Sequence, residues 1–290
     1  MTPIEVVEPQ AAHVDALRQI YLSATSAAPH CRFAPDAERF AECLLRPRLI
    51  PTRIFVAEER GAPQGFAALV RVRSDGVEHE AISALFFAHP AAGQALLDAC
   101  EGQASSDLQA FPAEHGRCPI VGYNAGWDGL SDRIPGVAQL LARNGYAPFY
   151  RELCLIRDLV GGVAEPGAPP AGVDVRESIG DEQQFVLRAL IGEHEAGECH
   201  YVTLAKLGGA DAARTGYVWW LNVQPEARRR GIGRDLMLRT LDHLCRLGCD
   251  GCWLTTGAEN WPAQPLYLAL GFEIVDCTAS YQKRRQTAVA

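Results

Sequence analysis

Lysine is nearly absent from this chain: Lys206 and Lys283 are the two among 27 basic residues, and the other 25 are arginines. Basic charge as a whole is also short. Against 35 acidic residues it leaves a net charge of −8. A globally basic face of the kind that neutralises phosphates is missing, which argues against a nucleic-acid partner. An acidic protein suits cationic partners such as amines better. Long apolar runs are lacking. The longest stretch without a formal charge, residues 81–97, has 17 residues and is interrupted by His89, Pro90 and Gly93. That is too short and too broken for a bilayer helix, so no membrane contact is expected. Residues 1–8 lack the basic region and apolar core of a signal peptide. Ten cysteines in such a chain read as reduced, mostly buried thiols and lead us to expect a cytoplasmic protein.

What is present is the composition of a globular protein. Hydrophobic residues make up 48% and charged residues 21%, which excludes disorder. A length of 290 residues suggests two domains. Residues 161–172 are rich in Gly, Pro and Ala and show no helical or strand period, as a semi-extended linker does. They separate a first domain, residues 1–160, from a second, residues 173–290. The two halves follow a similar order. Short strands at 4–7 and 173–176 open them. Helices follow around His13 to Tyr21 and around Asp181 to Ile191, the latter capped by Asp181. Strands are expected at 53–58 and 65–73 in the first half, and at 199–206 and 217–223 in the second. Each half then has a helix ending in a Gly–aromatic pair, Gly145-Tyr146 and Gly271-Phe272, with Gly as a left-handed C-cap. The pattern reads as a duplicated α/β unit whose copies have diverged; two unrelated α/β domains would share the same alternation.

The most informative segment follows the strand at 217–223. Gln224, Pro225 and Glu226 break the strand. Arg228, Arg229, Arg230, Gly231, Ile232, Gly233 and Arg234 come next, and a helix starts at once. Its apolar positions Ile232, Leu236, Leu241, Leu244 and Cys245 lie near one face, and Gly248 is a plausible stop. A strand feeding a Gly-rich turn into a helix N-terminus is an anion site, because unpaired N–H groups point outward along a favourable dipole. Gly231 and Gly233 let the backbone approach the anion without a Cβ in the way. Each hydrogen bond to a charged phosphate oxygen contributes roughly 1.5–3 kcal/mol, so several amides together can hold a diphosphate. The glycine pattern alone also fits a solvated basic turn with a capped helix. It is not a Walker loop, since Gly-Lys-Ser/Thr is absent, and the G-x-G-x-x-G spacing of a dinucleotide site is absent too.

Arg228-x-x-Gly231-x-Gly233, after a strand and a Pro-Glu turn, resembles the acetyl-CoA loop of the GNAT superfamily of acyltransferases. Downstream, Asn260, Ala263, Leu266, Tyr267, Gly271 and Phe272 are similar to that family's second motif, N-x-x-A-x-x-L-Y-x-x-x-G-F. The two motifs come in the right order, 36 residues apart from Gly231 to Tyr267. The resemblance covers residues 173–285. Over residues 1–158 it rests on element order and the Gly145-Tyr146 ending. It implies an α/β (α+β) fold with two GNAT-like domains, each a mixed, mostly antiparallel sheet flanked by helices. Tandem proteins with one working half, mycothiol synthase-like in outline, are similar. The first half lacks the loop, since residues 82–97 hold no Arg and one Gly. It is therefore expected to be a degenerate copy that shapes the substrate cleft.

The resemblance further implies that coenzyme A lies between the strands at 217–223 and 252–256, with its pantetheine arm on the exposed strand edge. The loop residues Arg228, Arg229, Arg230, Gly231, Ile232, Gly233 and Arg234 would hold the diphosphate, and Asn260 would orient the cofactor or cap its helix. A backbone N–H near Leu221 to Val223 would polarise the thioester carbonyl. An acetyl group would then pass from acetyl-CoA to a primary amine of a small molecule or peptide, by direct attack in a ternary complex. Tyr267 is the implied general acid toward the departing thiolate. Many relatives carry a Glu on the strand before the loop; here that place falls to Tyr217, and no carboxylate lies between Tyr217 and Val223. A base acting through water is left to Glu193, Glu195, Glu198 or His200. Glu198 and His200 are the choice, with no dedicated base at all as the alternative. The rival from another class is a non-catalytic CoA-binding sensor or scaffold. Acceptor specificity is expected from residues 30–35, residues 193–200 and the cleft between domains.

Two compositional clusters are set aside. Cys245-x-x-x-Cys249-x-x-Cys252 has iron–sulfur spacing, but it straddles a helix end and a strand start, where buried thiols are the better account. His194 to His200 misses the H-E-x-x-H spacing, because position 198 is Glu, so no metal is expected. Trp219 and Trp220 should point to opposite faces of their strand.

Overall fold

The computed structural model describes residues 3–28, 36–47, 52–74, 77–104, 107–112, 129–179, 184–207 and 214–283. Its chain forms two compact units: Met1–Glu152 with Asp276–Ala290, and Leu153–Val275. In chain order the first unit contains β1 (Ile4–Val7), α1 (Val14–Thr25), α2 (Ala37–Leu45), β2 (Thr52–Glu59), β3 (Ala62–Ser74), β4 (Val77–Phe87), α3 (Pro90–Gln103), β5 (Leu108–Ala110), β6 (Leu130–Ser131) and α4 (Pro135–Arg143). β7 (Ala147–Asp158) carries the chain out of it. The second unit contains β8 (Asp174–Ile179), β9 (Phe185–Ile191), β10 (His194–Thr203), β11 (Thr215–Val223), α5 (Ile232–Arg246), β12 (Gly251–Gly257) and α6 (Gln264–Ala269). β13 (Glu273–Lys283) returns the chain to the first. No helix among the described residues is long and apolar enough to cross a membrane.

The sheet of the first unit runs β1-β2-β3-β4-β5-β13. Its pairs are antiparallel except β4 with β5. Helical spacing in α1 turns Val14, Leu17, Tyr21 and Thr25 inward. Tyr21 and Phe40 close on Phe66 and Phe86 of the sheet, with edge contacts at 5.2 Å (Tyr21–Phe86) and 5.9 Å (Phe40–Phe66). All four rings are fully buried. Each such side chain contributes roughly 1.5–3 kcal/mol of burial.

The second unit runs β8-β9-β10-β11-β12, followed by β7. β8 to β11 are antiparallel and β11 pairs β12 in parallel. α5 buries Ile232, Leu236, Met237, Leu241 and Leu244 in this unit's core, which also holds Cys199, Tyr201, Cys249 and Cys252. Burial pushes the Cys199 thiol up to about 12 and Cys249 up to about 11. These thiols are core packing. Gly145, Gly248 and Gly271 adopt positive φ at their helix ends (83°, 82° and 79°).

Two sequence expectations need correction. The helix expected around Asp181 to Ile191 does not form: Phe185–Ile191 is strand β9, and Asp181 itself lies outside the described residues. β9 makes a tight hairpin with β10, with Ile191 opposite His194 and Gly192 at φ 63° in the turn. A short, mostly apolar segment interrupted by Arg188 satisfies both periods, and pairing on both edges settles it as strand. The stretch 161–172 lies inside the second unit, and the units part at Glu152/Leu153 and Val275/Asp276. That stretch is docked on its own unit: Arg239 donates to the Gly167 carbonyl (3.0 Å) and Arg230 to that of Ala171 (3.4 Å).

Candidate active site

β11 and β12 are in register from Thr215–Gly251 to Val218–Leu254. At that point β11 bulges. Tyr201 of β10 faces Val218, but the next residue, His200, faces Trp220, so β11 carries one extra residue, Trp219. Beyond the bulge Leu221, Asn222 and Val223 line a cavity of about 460 Å³. The other walls come from the loop and the start of α5 (Ala227, Arg228, Arg229, Gly231, Ile232, Gly233, Arg234) and from Asn260, Pro262, Ala263, Leu266 and Tyr267.

The loop backbone is unusual. A short 3-10 turn, Pro225–Ala227, leads into Arg228 in extended conformation, and Arg228 Nε donates to the Val223 carbonyl at 2.9 Å. Arg229 has φ 63° and Gly231, the N-cap of α5, φ 84°. A positive φ at an arginine costs about 1–2 kcal/mol. Left-handed residues alternating with right-handed or extended ones turn successive N–H groups into one concavity. Gly231 supplies no capping side chain, and the first bond of α5 is Asp235 N–H to the Gly231 carbonyl, 3.0 Å. The N–H groups of Gly231, Ile232, Gly233 and Arg234 therefore have no partner among the described residues. Nor does any described carboxylate pair with Arg228, Arg229, Arg230 or Arg234, whereas Asp235 pairs with Arg239 at 2.8 Å. In an acidic chain this leaves a concentrated positive pole at four free amide donors, which is what a diphosphate needs.

The remaining expected residues fall into two groups. Tyr267 lines the cavity from α6, is 6% exposed and meets the Phe272 ring edge-on at 6.0 Å. Burial holds its phenol well above the usual tyrosine range, with the Cys199 and Cys252 thiols adding to the effect. Asn260 lines the same cavity; its Nδ2 donates to Thr256 Oγ1 at 3.0 Å. The N-cap of α6 is Ala263, with no side-chain cap bond, so Asn260 ties its connection to β12 and does not cap the helix. Glu198 and His200 form the second group, next to the cavity wall. Glu198 is opposite Asn222 and His200 is opposite Trp220. Glu198 Oε2 lies 2.7 Å from His200 Nε2, and Trp220 Nε1 donates to Glu198 Oε1 at 3.0 Å. Burial raises the Glu198 pKa, but the hydrogen bonds of His200 and Trp220 and the charges of His200 and Arg188 outweigh it, so the carboxylate sits below its usual value. The His200 ring packs edge-on against Trp219 at 4.8 Å. Glu195 is tied up with Arg188 at 3.3 Å, and Glu193 is exposed in the β9–β10 turn. Residues 30–35 lie outside the described residues. Sequence reasoning missed Asn222 as a wall and Trp220 as the Glu198 partner; the alternation of β11, with Asn222 two residues after Trp220, was the available signal.

The first unit offers a contrast at the same point of its order. There the strand-to-helix connection is Ala88 and His89 in place of residues 224–231. A Cβ on Gly93 of α3 would sit 2.7 Å from the Phe87 ring, so that ring closes onto the helix.

Comparison with known proteins agrees with the geometry. Residues 165–272 match the Acetyltransferase (GNAT) family. A mycothiol acetyltransferase of Pseudarthrobacter chlorophenolicus is 29% identical over 54% of this chain and 61% of its own length. One from Thermobispora bispora is 35% identical over 40% of this chain and 35% of its own. The chain thus spans less than two thirds of these relatives. Among solved structures, a tandem GNAT protein from the clavulanic acid biosynthesis pathway, described as without AcCoA, superposes with a TM-score of 0.63 at 18% identity. It covers 97% of this chain and 98% of that one. A GCN5-related glucosamine N-acetyltransferase region of a fungal multi-domain β-N-acetylglucosaminidase gives 0.75 at 14% identity, over 97% of this chain and 38% of that one. With the strand bulge, the uncapped Gly231 helix and the cavity between them, residues 165–272 are an acetyltransferase domain of the GNAT family, in a chain with the fold of the tandem GNAT proteins.

Proposed function

We propose that the second unit transfers an acetyl group from acetyl-CoA to a primary amine of a small molecule or peptide by direct attack in a ternary complex. The observation that carries this is the set of four N–H donors at Gly231 to Arg234 without partners among the described residues, beside arginines that pair with no described carboxylate. Those amides hold the diphosphate. The pantetheine arm lies along Leu221 to Val223, past the point where β11 parts from β12. A β11 N–H in that stretch donates to the thioester oxygen as charge builds on it. The amine nitrogen bonds to the carbonyl carbon and the C–S bond breaks. Tyr267, kept protonated by burial, donates its proton to the leaving sulfur. The proton lost by the amine goes to His200, directly or through water. Glu198 accepts from His200 Nε2 and so fixes the tautomer that leaves Nδ1 as the acceptor. This pair stands in for the strand carboxylate that is absent: Tyr217 fills that position, 3.3 Å from Thr255 Oγ1. The first unit, with its two-residue connection, serves as a degenerate copy.

The absent strand carboxylate also favours a second reading, a CoA-binding sensor or scaffold. Thiol release from acetyl-CoA with a panel of amines separates the two. Turnover that falls about a hundredfold or more in Tyr267→Phe, with CoA affinity unchanged, supports the enzyme. CoA binding without turnover, the same in wild type and Tyr267→Phe, supports the sensor.

A further inference from the structure

We propose that Trp261 is the stacking platform for the purine base of the acyl donor. This rests on the acyl-CoA reading of the cavity. The cavity extends from the loop amides to Tyr267, and at about 460 Å³ it is of the size that encloses part of a large ligand. With the diphosphate at the loop and the thiol at Tyr267, the nucleoside is left at the outer end. Trp261 stands in the connection between β12 and α6. Its neighbours on either side, Asn260 and Pro262, both line the cavity, while its own indole stands outside that lining. Its indole is 70% exposed.

Single exposed aromatics are common and on their own mean little. Here the backbone that carries the indole is tied down on both sides. Asn260 Nδ2 donates to Thr256 Oγ1 (3.0 Å) and Gln264 Nε2 to the Ala258 carbonyl (2.9 Å). Pro262 stiffens it further. A rigid connection that leaves its largest apolar side chain in water, between two residues of a ligand cavity, is pre-organised to receive a flat apolar face. A purine presents such a face, and Arg228, Arg229 and Arg234 of the same cavity suit its phosphates.

The test compares CoA with 4′-phosphopantetheine, which lacks the nucleoside, by calorimetry on the full chain. Trp261→Ala should weaken CoA about tenfold, the size of one base–aromatic stack. Trp261→Phe should recover most of that loss, and 4′-phosphopantetheine should bind all three proteins alike. The proposal is overturned by unchanged CoA affinity in Trp261→Ala, by equal losses for both probes, or by a raised amine KM at unchanged CoA affinity. A wild-type protein that binds neither probe overturns the acyl-CoA reading as well, so the two failures are told apart.

Discussion

Substitutions at Gly231 separate backbone strain from ligand binding, because the residue has a left-handed φ of 84° in open space. A Cβ built there meets nothing closer than Pro170 Cγ at 3.9 Å. The cost of a side chain is thus conformational. It is about 1–2 kcal/mol for Ala, less for Asn, which visits this region readily, and more for β-branched Val. If the loop keeps its shape, stability falls by that amount and affinity is kept. If it relaxes, the N–H groups of residues 231–234 turn away from one another. Losing two charge-assisted bonds at roughly 1.5–3 kcal/mol each weakens diphosphate binding by about 10²–10⁴-fold. The expected order of CoA affinity is wild type, Gly231→Asn, Gly231→Ala, Gly231→Val. Urea melts should show losses of about 1–3 kcal/mol and no loss of fold. Gly233→Ala is the control. Its Cβ would lie 3.4 Å from Val223 Cγ2 and 3.6 Å from Leu266 Cδ2, ordinary contacts, at a φ that any residue adopts. It should keep stability, and a loss of CoA affinity there reports a Cβ in the anion's way and not strain. Wild-type CoA affinity in Gly231→Val without the accompanying loss of stability would refute the assignment of these amides to the diphosphate.

The Glu198–His200 pair is tested by substitution. His200→Gln should lower kcat about a hundredfold near neutrality with CoA affinity unchanged. Glu198→Gln should leave CoA affinity alone and lower kcat by less; an unchanged kcat in both would show that the pair only packs. A different carboxylate governs stability. Burial pushes Glu152 up to about 7, only partly offset by the Tyr150 hydroxyl at 3.3 Å. Because its folded value is raised, stability is lost as pH rises from about 4.5 to about 7 and stays flat above. Glu152→Gln should therefore raise stability by up to about 3 kcal/mol at pH 8 and leave it unchanged near pH 4. Thermal melts at the two pH values measure this, and a gain at pH 4 would contradict it.

The second unit was the more legible because its determinants are local. Gly231, the Pro225–Ala227 turn and the Gly271-Phe272 ending fix backbone conformation within a few residues of themselves. The β9 run failed for the opposite reason. Phe185, Val186 and Leu187 suit a strand or a helix, and only pairing with β8 and β10 decides. The domain limits were hidden similarly: composition marked residues 161–172, but β7 and β13 divide between the units, and strand pairing leaves no compositional trace. Trp220 could be placed on a strand from sequence, but its bond to Glu198 crosses from β11 to β10.

The two helix starts differ in how many of their first N–H groups are left free, which is the difference the proposed anion site requires. A helix N-terminus attracts anions only if its first N–H groups are unspent. In α3 two of them are spent: Pro90 removes one, and His89 Nδ1 accepts from Ala92 at 3.4 Å. Gly93 then closes the first turn on the His89 carbonyl at 3.2 Å, with the Phe87 ring against it. In α5 neither device is present, since Gly231 has no side chain to cap with and Ile232 keeps its N–H. A Gly N-cap in place of Ser, Thr, Asp or Asn forgoes only a few tenths of a kcal/mol of stability. That loss, with the strain at Arg229, is what the proposed diphosphate site costs the fold. Giving α5 the α3 solution, a capping side chain through Gly231→Asp, should therefore weaken CoA binding by charge repulsion and self-capping together. Stability should change by no more than Gly231→Ala changes it. Tighter CoA binding in Gly231→Asp would mean that the free donors at this terminus do not face the phosphates.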